Sequence, residues 1–360
     1  MTRPATGKHG TQSFSMPRIL VFCMILLLPT MAVIYYTLLR KTVTPQHTTR
    51  NIDKITCSFK GTPKFDSLLD LLDVRTDYES QDDPSTAYFL EEILKYLSKR
   101  GLKLDNKICT IHGGNVGAPI YEFLDKPNIG GVAVEFYPNL YEDLTGRVKR
   151  KNLNIMQAVV TPHNVINIMD QNDLPYDMDL FKVDIDSYEC TILEAMLSSG
   201  KYRPKVIFSE HAEFVPPPLR FSISYYEYTT QFKNDNFCGC SLQMHVDLLL
   251  QYGYRLVHVD WNDVFFVRDD IYCKHFSGLI PHDVDQIYDQ GYAKRDQREH
   301  YFNWHPDVDH WMNMRNDLPT LKKEITVYMA KSKTYQSSPQ AHFILHYQSP
   351  DDPPMKQLLK

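Results

Sequence analysis

The chain has 360 residues, 43% of them hydrophobic and 23% charged, with a formal net charge of -5. That composition sits in the ordinary globular range and excludes disordered and collagen-like classes. With its signs interspersed, the charge gives no broad basic field for a phosphate backbone, which excludes nucleic acid as a partner.

In chain order, residues 1–18 form a short tail, followed by the run Ile19–Leu39, which contains no charged side chain. About 20 apolar residues at 1.5 Å rise match the bilayer hydrocarbon, so this run is expected to be a transmembrane helix. It is longer than the apolar part of a cleaved signal peptide and is followed by Arg40 and Lys41, which points to an uncleaved signal anchor. Positive residues flank both ends, so the positive-inside count does not orient it. Six cysteines lie outside the run, an even number that suits an oxidising lumen as well as buried thiols, and no Asn-x-Ser/Thr acceptor occurs. The expected arrangement is a single-pass protein of the Golgi or endoplasmic reticulum membrane with a lumenal body.

Residues 40–62 are polar and aperiodic and read as a stem. From 63 to 275 the pattern is that of one α/β domain. A helix capped by Ser85 and stopped by Gly101 is predicted from the spacing of Tyr88, Phe89, Ile93, Leu94 and Leu97. Strands are predicted at Ile108–Ile111, Gly131–Glu135, Ile155–Val160, Leu180–Ile185 and Lys205–Ser209, alternating with helical or loop segments. Tyr254–Val259 and Asp263–Val267, divided by Asp260, Trp261 and Asn262, read as an antiparallel hairpin. Such alternation implies a mostly parallel sheet with helices on both faces and a ligand beyond the carboxyl ends of its strands. Residues 276–360 lose this rhythm and read as a C-terminal extension without an assigned role.

Four segments at predicted strand ends carry chemistry. Gly113, Gly114, Asn115 and Gly117 form a turn between a strand and a helix, where glycines let a ligand approach the backbone. Glu135 stands 18 residues after Gly117, close to the spacing at which an acidic side chain accepts both hydrogen bonds of a ribose diol. Lys182, Asp184 and Asp186 alternate with apolar residues, a pattern suited to orienting a hydroxyl, removing its proton or holding a divalent metal through hard oxygen ligands. One strand later come Glu210 and His211, the latter a natural general base near neutral pH. Cys238-Gly239-Cys240 is too short for a zinc knuckle pair and reads as half of a disulfide or as packing. The late cluster from Trp304 to Trp311 has metal-like residue types but no metal-ligand spacing, and reads as a structural turn.

Together, Gly113-Gly114-Asn115-Val116-Gly117, Glu135-Phe136-Tyr137-Pro138-Asn139, Lys182-Val183-Asp184-Ile185-Asp186-Ser187 and Val206-Ile207-Phe208-Ser209-Glu210 resemble the FkbM-type methyltransferases in order and spacing, over roughly residues 108–267. The resemblance implies a seven-stranded Rossmann-like methyltransferase sheet and bound S-adenosylmethionine. It further implies methyl transfer to a sugar or other small hydroxyl-bearing acceptor. On that reading the glycine turn and Glu135 bind the cofactor, Asp184 and His211 are candidate bases, and Asp184, Asp186 and Glu210 serve the acceptor or a metal. This sequence carries Ile111 and His112 where family members have an acidic residue before the glycines. A catalytically inactive relative, retained at the membrane for binding or trafficking, is the competing expectation.

Overall fold

A computed structural model describes residues 65, 67–72, 86–112, 120–226, 238–276, 278–279, 283–303, 307–337 and 342–347. Both the Ile19–Leu39 run and the Gly113–Gly117 turn lie outside them. No helix among the described residues is long and apolar enough to cross a membrane.

Elements follow one another as α1 (Leu68–Leu72), α2 (Thr86–Lys99), β1 (Lys107–His112), α3 (Ile120–Leu124), β2 (Gly130–Glu135), α4 (Pro138–Arg147), β3 (Leu153–Gln157), α5 (Val165–Gln171), β4 (Leu180–Asp184), α6 (Glu189–Ser198) and β5 (Val206–Glu210). Then come β6 (Arg220–Ile223), α7 (Leu242–Gln251), β7 (Tyr254–Asp260), β8 (Asp263–Arg268) and α8 (Asp269–His275). The chain continues with α9 (Val284–Tyr288), a π-helical turn (Asp289–Ala293), α10 (Arg298–Tyr301), α11 (Val308–Asn313), α12 (Leu318–Ala330), α13 (Lys333–Ser337) and β9 (Phe343–His346).

The main sheet has seven strands in the order β3-β2-β1-β4-β5-β8-β7. Strands β1 to β5 pair in parallel, β8 runs antiparallel to both β5 and β7, and the hairpin read from the sequence closes the sheet. This is a Rossmann-like sheet whose order reverses between β1 and β4. In sheets of this kind a ligand binds at such a reversal, beyond the carboxyl ends of the strands. Helices α5, α6 and α7 contribute Met169, Leu193 and Leu248 to one buried cluster, while α2, α3 and α8 contribute Ile93, Phe123 and Ile271 to the other, so both faces are covered. Gly131 has φ of +118°, and a Cβ there would lie 2.1 Å from the Ile108 carbonyl oxygen, so only glycine lets β1 and β2 come this close.

The segment from 276 onward differs from the expected extension. Tyr288, Tyr292, Trp311, Leu321, Ile325, Met329 and Leu345 belong to the same core cluster as β1, β4 and α6, and β9 pairs with β6 in a second, two-stranded antiparallel sheet. Leu321, Ile325 and Met329 recur every four residues on one face of α12, a helical signal present in the sequence. The late metal-like cluster is structural where it is described: Asp309 pairs with Arg298, His310 pairs with Glu324, and Trp311 is buried.

Candidate active site

The carboxyl ends of four neighbouring strands meet at the reversal. Glu135 of β2, His112 of β1 and Asp184 of β4 are partners in register, and Glu210 ends β5 alongside. Laterally paired residues project to the same side of a sheet, so these side chains form one row. The row beneath it, Ala133, Thr110, Lys182 and Phe208, sits on the same face.

Glu135 is 1% exposed. Its Oε1 accepts the Tyr137 N–H at 2.9 Å, whereas its buried Oε2 has no partner. Burial pushes the Glu135 carboxyl up to about 6, against two backbone N–H groups that favour its charge. Pro138 opens α4, where its missing N–H costs nothing, and so fixes the turn that brings Tyr137 back onto Glu135. Thr110 Oγ1 and His112 Nε2, on the same face, also lack hydrogen-bond partners. Burial drives His112 down to about 3, leaving it neutral.

Lys182, 4% exposed, donates to Asp184 Oδ2 at 2.6 Å, with its ammonium 4.8 Å from the Phe208 ring centre. Burial alone would raise Asp184, but the Lys182 charge and hydrogen bond outweigh it and hold that carboxyl below its ordinary range. Asp186 follows in a left-handed conformation, φ 51°, on a loop fixed by a residue that sequence reasoning did not single out for this task. Glu189, 0% exposed at the start of α6, accepts the N–H groups of Ile185 and Ser187 through Oε1, both at 3.0 Å. Burial raises Glu189 to about 7. Burial and the neighbouring Asp184 charge raise Asp186 to about 6. Glu210 is pushed well above the usual carboxylate range by burial and by Asp186 and Asp184. Its Oε1 accepts from Asn262 Nδ2 at 2.6 Å, a contact across 52 residues from the β7–β8 turn. Ligand oxygens of Asp184, Asp186 and Glu210 lie within 4.8 Å of one another.

His211 has other surroundings. Alternation along β5 turns it away from Glu210, and its Nε2 donates to the Trp261 carbonyl at 3.0 Å while its ring packs edge-on to Tyr288. At 1% exposure, burial lowers it to about 4. The ring is a neutral brace for the β7–β8 turn, and Asp184, Asp186 and Glu210 come together without it. Cys240 is bonded to Cys190, so half of the Cys238-Gly239-Cys240 pair is a disulfide, and Cys238 is a free thiol.

No family model matches the chain, and no curated protein does. Among solved structures, fibrillarin of Aeropyrum pernix in complex with natively bound S-adenosyl-L-methionine is 15% identical, covering 49% of this chain and 74% of that one at a TM-score of 0.30. PigF with SAH is 16% identical over 56% of this chain and 62% of its own, TM-score 0.30. Methanococcus jannaschii fibrillarin is 18% identical over 49% and 73%, TM-score 0.27. Likenesses this low carry no weight for this chain, and its fold is read from its own strand order.

Proposed function

We propose that this protein is an S-adenosylmethionine-dependent O-methyltransferase of FkbM type, anchored in a membrane through residues 19–39 and acting on a sugar or other small hydroxyl-bearing acceptor. Glu135 carries the reading. A carboxylate oxygen buried without a partner is costly, and here Glu135 Oε2 stands at the end of β2 beside the sheet's reversal, where a ribose hydroxyl would supply the missing donor. The residues therefore fit the cofactor: Glu135 would hold the ribose through its free Oε2, and Gly113, Gly114, Asn115 and Gly117 follow directly in the chain from His112. S-adenosylmethionine, when bound, supplies a methyl group on a sulfonium. What the protein supplies is alignment of the acceptor hydroxyl and a place for its proton. Asp184, kept ionised by Lys182, orients the hydroxyl, and the Asp184, Asp186 and Glu210 group takes the proton.

Calorimetric titration of the full-length chain with S-adenosylmethionine, followed by methyl transfer to a panel of glycan acceptors, tests this reading. Saturable binding with transfer supports it. Absence of binding at millimolar cofactor overturns it in favour of the binding or trafficking module.

On this reading the body lies in the lumen of the endoplasmic reticulum or Golgi. The Cys190–Cys240 disulfide supports this, as does the disulfide-bonded state of Cys273, because such bonds persist in oxidising compartments. Protease treatment of sealed microsomes should leave residues 53–360 intact until detergent is added, and digestion without detergent would reverse the orientation.

A further inference from the structure

We infer that Asp184, Asp186 and Glu210 form a binding site for one hard divalent cation of the Mg²⁺, Mn²⁺ or Ca²⁺ class, within the acceptor side of the proposed methyltransferase site. Three carboxylates offer oxygens that all lie within 4.8 Å of one another. Two oxygens on opposite sides of a cation bonded at about 2.4 Å are separated by about that distance, and adjacent ones are closer. One group ends β4, one ends β5 and one sits on the loop between β4 and α6, so the three converge on a common point from different directions.

The cluster is built before any ion arrives. Glu189 holds the loop by two backbone N–H groups, Asn262 fixes Glu210 through Oε1, and Lys182 fixes Asp184 through Oδ2. The Glu210 carboxyl also hydrogen-bonds Asp184 and Asp186, so the three groups already converge on one another. Lys182, on Asp184, is the one lysine or arginine paired with the three groups among the described residues.

A second observation points to a ligand. His112, 6% exposed, is the register partner of Asp184 on the same face at the strand ends, and its Nε2 has no hydrogen-bond partner. Asp184's charge acts on that ring. An imidazole nitrogen next to Asp184 with no partner in the protein suits accepting a hydrogen bond from a metal-bound water. Oxygen-rich ligation selects hard cations over copper or zinc held by thiolates.

The inference rests on the proposed acceptor site, but its test needs no cofactor. Mn²⁺ alone is titrated into the full-length chain and followed by the electron paramagnetic resonance of the free ion, with Mg²⁺ and Ca²⁺ as competitors. Wild type should take up one Mn²⁺ per chain. Asp186→Asn and Glu210→Gln should each weaken uptake roughly tenfold or more. Asn tolerates the left-handed backbone at position 186, so that variant removes charge without breaking the loop, and unchanged near-ultraviolet circular dichroism confirms the fold. No retention of Mn²⁺, Mg²⁺ or Ca²⁺ by folded wild type at millimolar concentration overturns the site, as does equal uptake by both variants. Mn²⁺ uptake with no S-adenosylmethionine binding overturns the methyltransferase reading and leaves the cation site standing.

Discussion

Glu135 pays for its position in the free protein and recovers the cost when a donor arrives. The folded chain keeps its proton to about pH 6 while the unfolded chain releases it near the ordinary 4.5. Between those values the folded state binds more protons, so stability falls as pH rises, by up to about 2 kcal/mol. Glu135→Gln should remove that fall, raising the free chain's urea midpoint at pH 8, and should weaken S-adenosylmethionine binding roughly ten- to hundredfold by losing a charge-assisted hydrogen bond. Unchanged cofactor affinity would separate Glu135 from the cofactor. His211 has the opposite sign. Its folded pKa is about 4 against an ordinary 6.5, so its share of stability is complete above pH 6.5 and is lost as pH falls toward 4. His211→Gln should flatten the acid side of the stability profile and leave cofactor affinity within a few fold, as measured by urea unfolding across pH and by calorimetry. Residue types and strand-end positions made Glu135, Asp184, Asp186 and Glu210 legible in the sequence. Parity along β5 already set His211 apart from Glu210, but a histidine's chemistry drew more notice than the face it occupies. Glu189 and Asn262 were not legible, because each acts through partners that only the folded loop and a turn 52 residues away bring near.

At the scale of elements, the loop carrying Asp186 is held at both ends. Glu189 caps its backbone from the first turn of α6, and the next residue, Cys190, is bonded to Cys240 ahead of α7. On the other side, the Gly239 N–H donates to the Ser187 carbonyl at 2.7 Å, so the crosslinked segment lies along the loop itself. The strands and the closing hairpin could be read as short apolar, β-rich runs because burial on both faces writes them so. The disulfide could not, since six cysteines outside the apolar run leave many pairings. Cys190→Ser with Cys240→Ser should cost about 2–4 kcal/mol through the freed loop of 50 residues between them. The same double variant should quicken amide hydrogen exchange at Ile185 and Ser187, whose N–H groups Glu189 holds. Exchange at those two amides as slow as in wild type would show that Glu189 fixes the loop unaided.

Over the whole molecule, the seven-stranded sheet and the segment after it share one core, and the expected boundary at 275 falls inside it. Phe214 lies 6.5 Å from Trp311 and 6.1 Å from Tyr328, and Phe221 lies 6.0 Å from Phe343. The Tyr288 hydroxyl donates to the Glu213 carbonyl at 2.5 Å, and Arg315 ties α9 to the π-helical turn through Asp285 and Asp289. This part was hard to read because its elements are short and separated by polar turns, so no long period builds up, with α12 the exception. Its energetic weight is large nonetheless. Burying each of Tyr288, Tyr292, Trp311, Leu321, Ile325, Met329 and Leu345 is worth about 1.5–3 kcal/mol, and the sum, about 10–20 kcal/mol, is as large as or larger than the roughly 5–15 kcal/mol by which a domain is usually stable. A chain ending at Asp283 loses all of these and leaves β6 without its β9 partner. It should therefore show no cooperative urea transition and should be cleaved rapidly between β5 and α7 in limited proteolysis, while the full-length chain resists. Retention of a wild-type transition and protease resistance by that truncated chain would mean that residues 284–347 are an appendage after all.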